Sequence, residues 1–209
     1  DPEMSRGLGD VYKRQFHPDG ISRKNGIDLS IVNQQAAVDI RPLWPDYLTE
    51  SDFEHDFPYN LKLKAHQGPK AKKTDEMETY YSVTYPIKAQ SVKFITAIIL
   101  KDSPTSKNIP QVTRLKGDDL QGVRIANGDK ITDVYLNTRA DGHIMHRNSC
   151  TNVNGWDTDA YLLAFSYKKG TDPAVSKNIL EWFIGYGSYV RNAHESIFDS
   201  YTKKYKVIR

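Results

Sequence analysis

The sequence lacks several features that would place it quickly in a known class of protein. It has one cysteine, Cys150, among 209 residues, which excludes an intrachain disulfide and a cysteine-based zinc site. Its longest apolar stretch, residues 94–100, has the length of a strand, so we expect no membrane-spanning helix. The short motifs of serine nucleophiles, metalloproteases, phosphate-binding loops and dinucleotide-binding folds are also absent from it.

Charge of one sign is not concentrated either. The 29 basic and 26 acidic residues leave a net charge of +3, whereas nucleic-acid binding normally requires a concentrated basic face. The densest basic runs, within residues 70–73 and 203–206, lie beside turn residues or near the chain end and are interpreted as solvated surface. We therefore expect no nucleic-acid partner, while a weakly basic surface is compatible with an anionic polysaccharide.

The residues that are present favour β-structure. Hydrophobic residues make up 38% of the chain, enough for a core, and the chain contains 13 tyrosines. Aromatic and β-branched side chains pack well on a pleated surface. Asn25-Gly26 and Asn127-Gly128 precede alternating apolar residues, which is a strong hairpin signal. Turn signals recur at the spacing of a sandwich, so the sequence predicts an all-β fold of antiparallel sandwich layers.

Local patterns divide the chain further. Residues 66–79 are polar and predict a mobile connection, whereas both faces of the strand at residues 92–100 are apolar, which predicts an interior strand. Residues 148–157 predict a polar loop before a strand at 158–167. Pro104, Pro110 and small polar residues between them predict a boundary between two β units.

These patterns predict four segments. Residues 1–15 show no periodicity and resemble translated adaptor sequence, so we expect them to be an artefact or disordered, with the natural polypeptide beginning upstream of Phe16. Residues 16–102 are expected to belong to a central β-sandwich, residues 103–111 to a linker, and residues 112–209 to a smaller C-terminal β-sandwich.

The candidate site residues cluster in the second half of the chain. His143 and His146 are three apart, which on a straight strand places them on opposite faces, so a structural or surface role is favoured over a shared metal. Arg139 and Arg147 suit carboxylate or sulfate recognition, although cross-strand ion pairing explains them equally well.

The polar segment that follows contains an amide and an aromatic ring that suit a sugar. Asn152 can bind hydroxyls while Trp156 stacks on an apolar sugar face. The alternative is that Trp156 plugs the end of the sandwich and that the neighbouring Asn and Asp residues cap turns. We favour the alternative, and keep both residues as candidates for substrate binding.

An ordered series of motifs resembles the carboxyl-terminal β region of heparinase II/III-like polysaccharide lyases. Its members lie at residues 80–86, 91–96, 122–125, 128–129, 133–137, 140–148, 155–163, 187–191 and 198–200. The series covers roughly residues 16–209. The order of the motifs along the chain is specific to the family, whereas each single motif is a weak signal.

The resemblance implies a fold and an activity for a parent protein. In that family an amino-terminal α/α toroid packs against β-sandwich layers, and polymers containing uronic acid are cleaved by β-elimination. A Tyr or His base removes the proton next to the uronate carboxylate. The family's catalytic residues and zinc-binding histidines belong to segments without a match here, so no catalytic residue and no metal ligand is carried over. The parent protein is expected to bind zinc or calcium elsewhere.

Three readings follow. In the first, the chain is the scaffold or cleft wall of a bacterial periplasmic or secreted lyase for heparin-like polymers, alginate or ulvan, inactive alone and packed on its toroid. In the second, it is a carbohydrate-binding sandwich with Trp44, Trp156 or Trp182 as the stacking platform. In the third, it is a structural or interaction domain of an exported protein.

Overall fold

The computed structural model describes residues 12–16, 21–25, 28–33, 36–44, 62–70, 73–85, 94–103, 105–107, 109–117, 119–140 and 150–209. Strands make up most of this part of the chain. In chain order they are β1 Tyr12–Phe16, β2 Ile21–Asn25, β3 Asp28–Val32, β4 Ala37–Trp44, β5 Lys62–Lys70, β6 Lys73–Tyr85, β7 Ile95–Lys101, β8 Gln111–Gly117, β9 Leu120–Asn127, β10 Lys130–Asn137, β11 Thr151–Val153, β12 Trp156–Thr158, β13 Leu162–Lys168, β14 Ile179–Arg191 and β15 Ser196–Ile208.

Every strand pair in the described residues is antiparallel, which confirms the all-β, sandwich-like fold. A single turn of 3-10 helix, Ser176–Asn178, precedes β14. None of the helical structure in the described residues is long and apolar enough to cross a membrane. The chain divides into two compact units, Asp1–Lys107 and Asn108–Arg209.

The first unit contains two sheets. Their strand orders are β1-β6-β5 and β2-β3-β4-β7. A hydrogen bond of 2.8 Å between the hydroxyls of Ser22 and Tyr81 connects β2 of one sheet to β6 of the other. Strand β1 includes Tyr12 to Gln15, residues that the sequence analysis set apart from the fold. The buried apolar residues of this unit are Leu29, Ala37, Ile40, Leu43, Trp44, Tyr81 and Ile99.

Both Asn-Gly signals mark hairpins, as predicted. Asn25 pairs with Asp28 across the first, between β2 and β3. Asn127 pairs with Lys130 across the second, between β9 and β10, where Gly128 has a φ of 58°. A two-residue hairpin loop needs positive φ, which glycine adopts without steric cost.

Two predictions for the first unit were wrong. Residues 66–79 were expected to be a mobile connection, yet they supply most of the long β5–β6 hairpin. Cross-strand partners explain this outcome, since His66 stacks on Tyr80 at 4.9 Å and its Nε2 lies 2.7 Å from Ser82 Oγ. Propensity for polar residues is a weak guide when such pairs form.

The second error concerns the apolar strand near residue 100. Strand β7 lies at the edge of its sheet and pairs with β4 only, among the described strands, so it is not an interior strand. Ile99 faces the core at 6% exposure, whereas Ile98 and Leu100 are 61% and 75% exposed. An apolar pattern on both faces therefore does not guarantee that both faces are covered.

One curled sheet forms the second unit. Its strand order is β11-β12-β14-β13-β10-β9-β8, and β15 also pairs with the long strand β14. The inward-facing side chains of successive strands form one apolar core, as alternation along β10 and β13 predicts. Its members include Ile131, Tyr135, Val153, Trp156, Leu163, Phe165, Trp182, Ile184 and Val190.

Candidate functional site

An open concavity of about 350 Å³ lies where the two ends of the curled sheet approach each other. Asp119 and Leu120 line it from the turn between β8 and β9, and Cys150 to Asn152 line it from the β11 side. Since β8 and β11 are the opposite edges of the seven-strand path, curling of the sheet is what builds this site. The lining residues are Gly117, Asp119, Leu120, Cys150, Thr151, Asn152 and Asp157.

Arg139 lies on the rim of this concavity. Its Nε donates to Oδ1 of Asp119 at 2.9 Å, and its side chain is 55% exposed. The backbone supports the same contact, because Thr138 N donates to Asp119 O at 2.8 Å and Arg139 N donates to Asn137 Oδ1 at 3.0 Å. A guanidinium has five N–H groups, and a side chain exposed to this extent presents some of them to solvent.

Asn152 holds the hairpin between β11 and β12, within the segment that was predicted to be a loop. Its Nδ2 donates to Asp157 Oδ1 at 2.8 Å, and its Oδ1 accepts from Gly155 N at 3.1 Å. Asn154 and Gly155 have φ values of 49° and 87°, the left-handed pair that a tight two-residue hairpin requires. The prediction of a loop over residues 148–157 is therefore wrong for β11 and β12, and Asn152 orients Asp157 in the site.

Trp156 lies in the core of the second unit. Its indole is 0% exposed, its Nε1 donates to Pro173 O at 2.9 Å, and its ring meets Trp182 edge-on at 5.1 Å. A fully buried ring has no face for a sugar to stack on. Trp44 and Trp182 are also buried, at 2% and 4% exposure.

Three sequence candidates remain. His143, His146 and Arg147 lie outside the described residues. They belong to the segment between Ala140 and Cys150, the residue that precedes β11. Of the six candidate residues, Asn152 lines the concavity, Arg139 is bonded to its lining residue Asp119, and Trp156 lies in the core.

Sequence reasoning missed the pair formed by Cys150 and Tyr189. Cys150 is exposed beside the concavity, and Arg191 lies 4.8 Å over the ring of Tyr189. Burial raises the pKa of Tyr189, and its hydrogen bond with the Cys150 thiol raises it further. Residues 150 and 189 meet only because β12 pairs with β14, a neighbour relation that alternation within one strand does not reveal.

A buried polar network lies on the inner face of the same sheet. Arg124 forms two hydrogen bonds of 2.8 Å to the Asp133 carboxylate, and Tyr167 OH donates to Asp133 Oδ2 at 3.0 Å. Tyr135 OH lies 3.4 Å from the same oxygen and accepts from Asn154 Nδ2 at 2.9 Å. The network thus ties the β11–β12 hairpin to β10.

The electrostatics of this network make its tyrosines donors rather than bases. Burial and the adjacent Asp133 carboxylate raise the pKa of Tyr167 to about 12, and they raise that of Tyr135 as well. A phenol with a raised pKa stays protonated near neutral pH and is a poor general base. We therefore interpret these groups as a structural brace behind the concavity.

No group of three or more His, Cys, Asp or Glu side chains in the described part of the chain is arranged to hold a metal ion. Asp119 and Asp157 are two carboxylates in the concavity, and one of them is already paired with a guanidinium. This donor set suits hydroxyl groups and a ligand carboxylate at Arg139 better than a divalent cation.

No protein-family model matches the sequence. The search of curated proteins likewise found no match. The resemblance to heparinase II/III-like lyases therefore depends on the ordered motif series.

Proposed function

We propose that this chain is the β scaffold of an exported polysaccharide lyase, and that its second unit forms one wall of the cleft for a polymer containing uronic acid. The single observation that carries the proposal is the concavity between Asp119 and Asn152, with Arg139 on its rim. One of its lining residues, Asp157, lies in a motif of the series that resembles the lyase family, and the other lining residues lie between motifs of that series.

The donors and acceptors of the site match the chemistry of such a polymer. Arg139 offers N–H groups to a uronate carboxylate, because a guanidinium forms strong, geometrically matched bonds with carboxylates. The carboxylates of Asp119 and Asp157 accept hydrogen bonds from sugar hydroxyls. The site would therefore bind alternating charged and neutral parts of a uronate chain.

The chemical step is assigned to the helical half of the parent protein. β-Elimination needs a base that takes the proton next to the uronate carboxylate, and the buried phenols of Tyr135 and Tyr167 are unsuited to that role. In this proposal the described residues position the polymer and support the toroid. The polymer would be a heparin-like chain, alginate or ulvan, in the periplasm or outside the cell.

The carbohydrate-binding module with a tryptophan platform is a weaker candidate. Its three possible rings, Trp44, Trp156 and Trp182, are all buried in their units.

The test is an assay of the product of the complete gene on glycosaminoglycans, alginate and ulvan, following the ultraviolet absorbance of unsaturated uronate. We expect product from one polymer class with the complete protein and none with the 209-residue chain alone. Absence of product from every uronate polymer would refute the proposal. Elimination by the isolated chain, abolished by His143→Ala or His146→Ala, would move the catalytic centre into this chain.

A further inference from the structure

Among the Phe, Tyr and Trp residues whose side-chain exposure the structure describes, the exposed rings lie on the last two strands. They are Phe183 on β14 and Tyr201 and Tyr205 on β15, with exposures of 39%, 109% and 73%. Large exposed rings are uncommon on a surface that contacts only water, and clusters of them mark binding surfaces. The sequence analysis treated this part of β15 as solvated surface because of its lysines.

A strained bulge in β14 brings a further ring to this surface. Tyr186 has a φ of 55°, which is unfavourable for a bulky side chain, and the pairing of β14 with β15 is irregular between Ile184 and Gly187. A Cβ atom at Gly187 would lie 2.7 Å from Ala160 Cβ, so only glycine fits there. Strain of this kind persists where the surrounding structure imposes it, and it clusters at functional sites.

The bulge places Tyr186 beside Tyr205. Their ring centroids are 5.8 Å apart with an interplanar angle of 43°, and Lys203 Nζ lies 6.0 Å over the Tyr186 ring. Lys203 is held in place by Asp159, whose backbone O and Oδ2 lie 3.3 and 3.8 Å from its Nζ. The two tilted rings form a shallow platform, and the Lys203 side chain, only 9% exposed, is fixed against the Tyr186 ring.

We propose that Tyr186 and Tyr205, with Lys203 fixed against the Tyr186 ring, form a binding platform for an anionic oligosaccharide. Aromatic rings stack on the apolar faces of sugars, and phenol hydroxyls bond to sugar hydroxyls. Lys204 and Lys206 flank Tyr205 in β15 and are exposed, and alternation along the strand turns their side chains to the face opposite the Tyr205 ring, so they add positive charge near the platform without lying on it. Their charge favours a ligand that carries carboxylates or sulfates. The choice of a uronate ligand rests on the proposed function, whereas the platform itself does not.

A sugar fits this platform better than a nucleic acid does. Two of the cations in this region are already paired, Lys203 of β15 with Asp159, and Arg209, directly after β15, with Glu181. The whole chain has a net charge of only +3, and single-stranded nucleic acid needs a continuous basic groove as well as rings.

The experiment measures binding of the full 209-residue chain to three probes by calorimetry or NMR. The probes are a uronic-acid oligosaccharide, a neutral oligosaccharide of the same length, and a single-stranded oligonucleotide of the same charge. Tyr205→Ala removes the ring, Tyr205→Phe keeps it, and Tyr201→Ala is the matched control at an exposed tyrosine on the same strand.

We expect the uronate probe to bind best, with affinity about tenfold lower for Tyr205→Ala and within about twofold for Tyr205→Phe and Tyr201→Ala. Four outcomes would each overturn the proposal. They are an equal loss of affinity in Tyr201→Ala, tighter binding of the oligonucleotide, equal binding of the neutral sugar, and no binding of any probe. Lyase activity of the complete protein is read separately. A platform that binds while the complete protein forms no product would refute the lyase and leave the platform standing.

Discussion

Arg124 and Asp133 face each other across β9 and β10 and are joined by two hydrogen bonds of 2.8 Å, from Nε to Oδ1 and from Nη2 to Oδ2. The carboxylate is fully buried, while the guanidinium side chain is 38% exposed. Breaking a buried pair leaves an uncompensated group, so removal of one partner costs more than the intact pair contributes. The hydrogen bonds from Tyr167 and Tyr135 depend on the same carboxylate.

The first prediction concerns Asp133→Asn. Because the neutral amide cannot pair with Arg124 or accept all three neighbouring donors, we expect the free energy of unfolding to fall by about 2–3 kcal/mol, below the full cost of a wholly buried pair. Urea denaturation followed by tryptophan fluorescence measures the change. Glu181→Gln, which breaks an exposed pair with Arg209, is the control and should leave the midpoint unchanged. An unchanged midpoint for Asp133→Asn would show that the brace is dispensable.

The second prediction concerns alkaline pH. The pKa of Tyr167 is raised from 10.0 to about 12 in the folded protein, so the unfolded state releases this proton first. The stability that the neutral phenol contributes is complete below pH 10 and is lost as the pH rises toward 12. Melting temperatures measured across this range should fall less steeply for Tyr167→Phe than for the natural protein.

Tyr201→Phe removes one exposed phenol and is the control for that experiment. It should reproduce the slope of the natural protein. An identical slope for Tyr167→Phe would mean that the Asp133 contact does not influence the titration.

Alternation and turn chemistry were enough to predict the strands that carry one apolar face. β10 alternates buried and half-buried residues from Ile131 to Asn137, and its hairpin has the glycine at the position that needs positive φ. The same reasoning failed for the β5–β6 hairpin, because its polar side chains are paired across strands. Alternation of apolar and polar residues indicates which side chains are buried. Cross-strand hydrogen bonds between polar residues produce no such alternation, so the sequence does not predict them.

The candidate site was only partly predictable, for a related reason. Arg139 and Asn152 were chosen for their chemistry, and their approach to one concavity depends on the curl that brings β8 near β11. Trp156 was chosen for its ring, but burial decides whether a ring can stack on a ligand, and residue type alone does not give burial. The Tyr186–Tyr205 pair depends on a bulge that only the register between β14 and β15 shows.

The third prediction concerns the bulge itself. Gly187→Ala would place a Cβ 2.7 Å from Ala160 Cβ and 2.9 Å from Ile184 Cγ2, so we expect a loss of about 1–3 kcal/mol in unfolding free energy. Gly117→Ala is the matched control, because its nearest contact would be 3.4 Å, and a change within about 0.5 kcal/mol is expected. Thermal unfolding followed by circular dichroism measures both. Equal melting temperatures for the two variants would contradict the close packing of β14 on Ala160.

The fourth prediction tests the concavity as a sugar contact. Arg139 is 55% exposed and its Nε is bonded to Asp119 Oδ1, so Arg139→Ala removes donors for a ligand carboxylate without opening the core. We expect the affinity of the full chain for a uronic-acid oligosaccharide to fall about tenfold, in keeping with the loss of one charge-assisted contact. Lys177→Ala, which removes the same unit of charge from an exposed turn of the same unit, is the control and should change the affinity by less than about twofold. A double variant of Arg139 and Tyr205 also reports whether one oligosaccharide contacts both residues. If the two losses of binding free energy add, Arg139 and Tyr205 contribute to binding independently. If Arg139→Ala and Lys177→Ala instead weaken binding equally, the effect is one of net charge alone, and the concavity is not part of the proposed cleft.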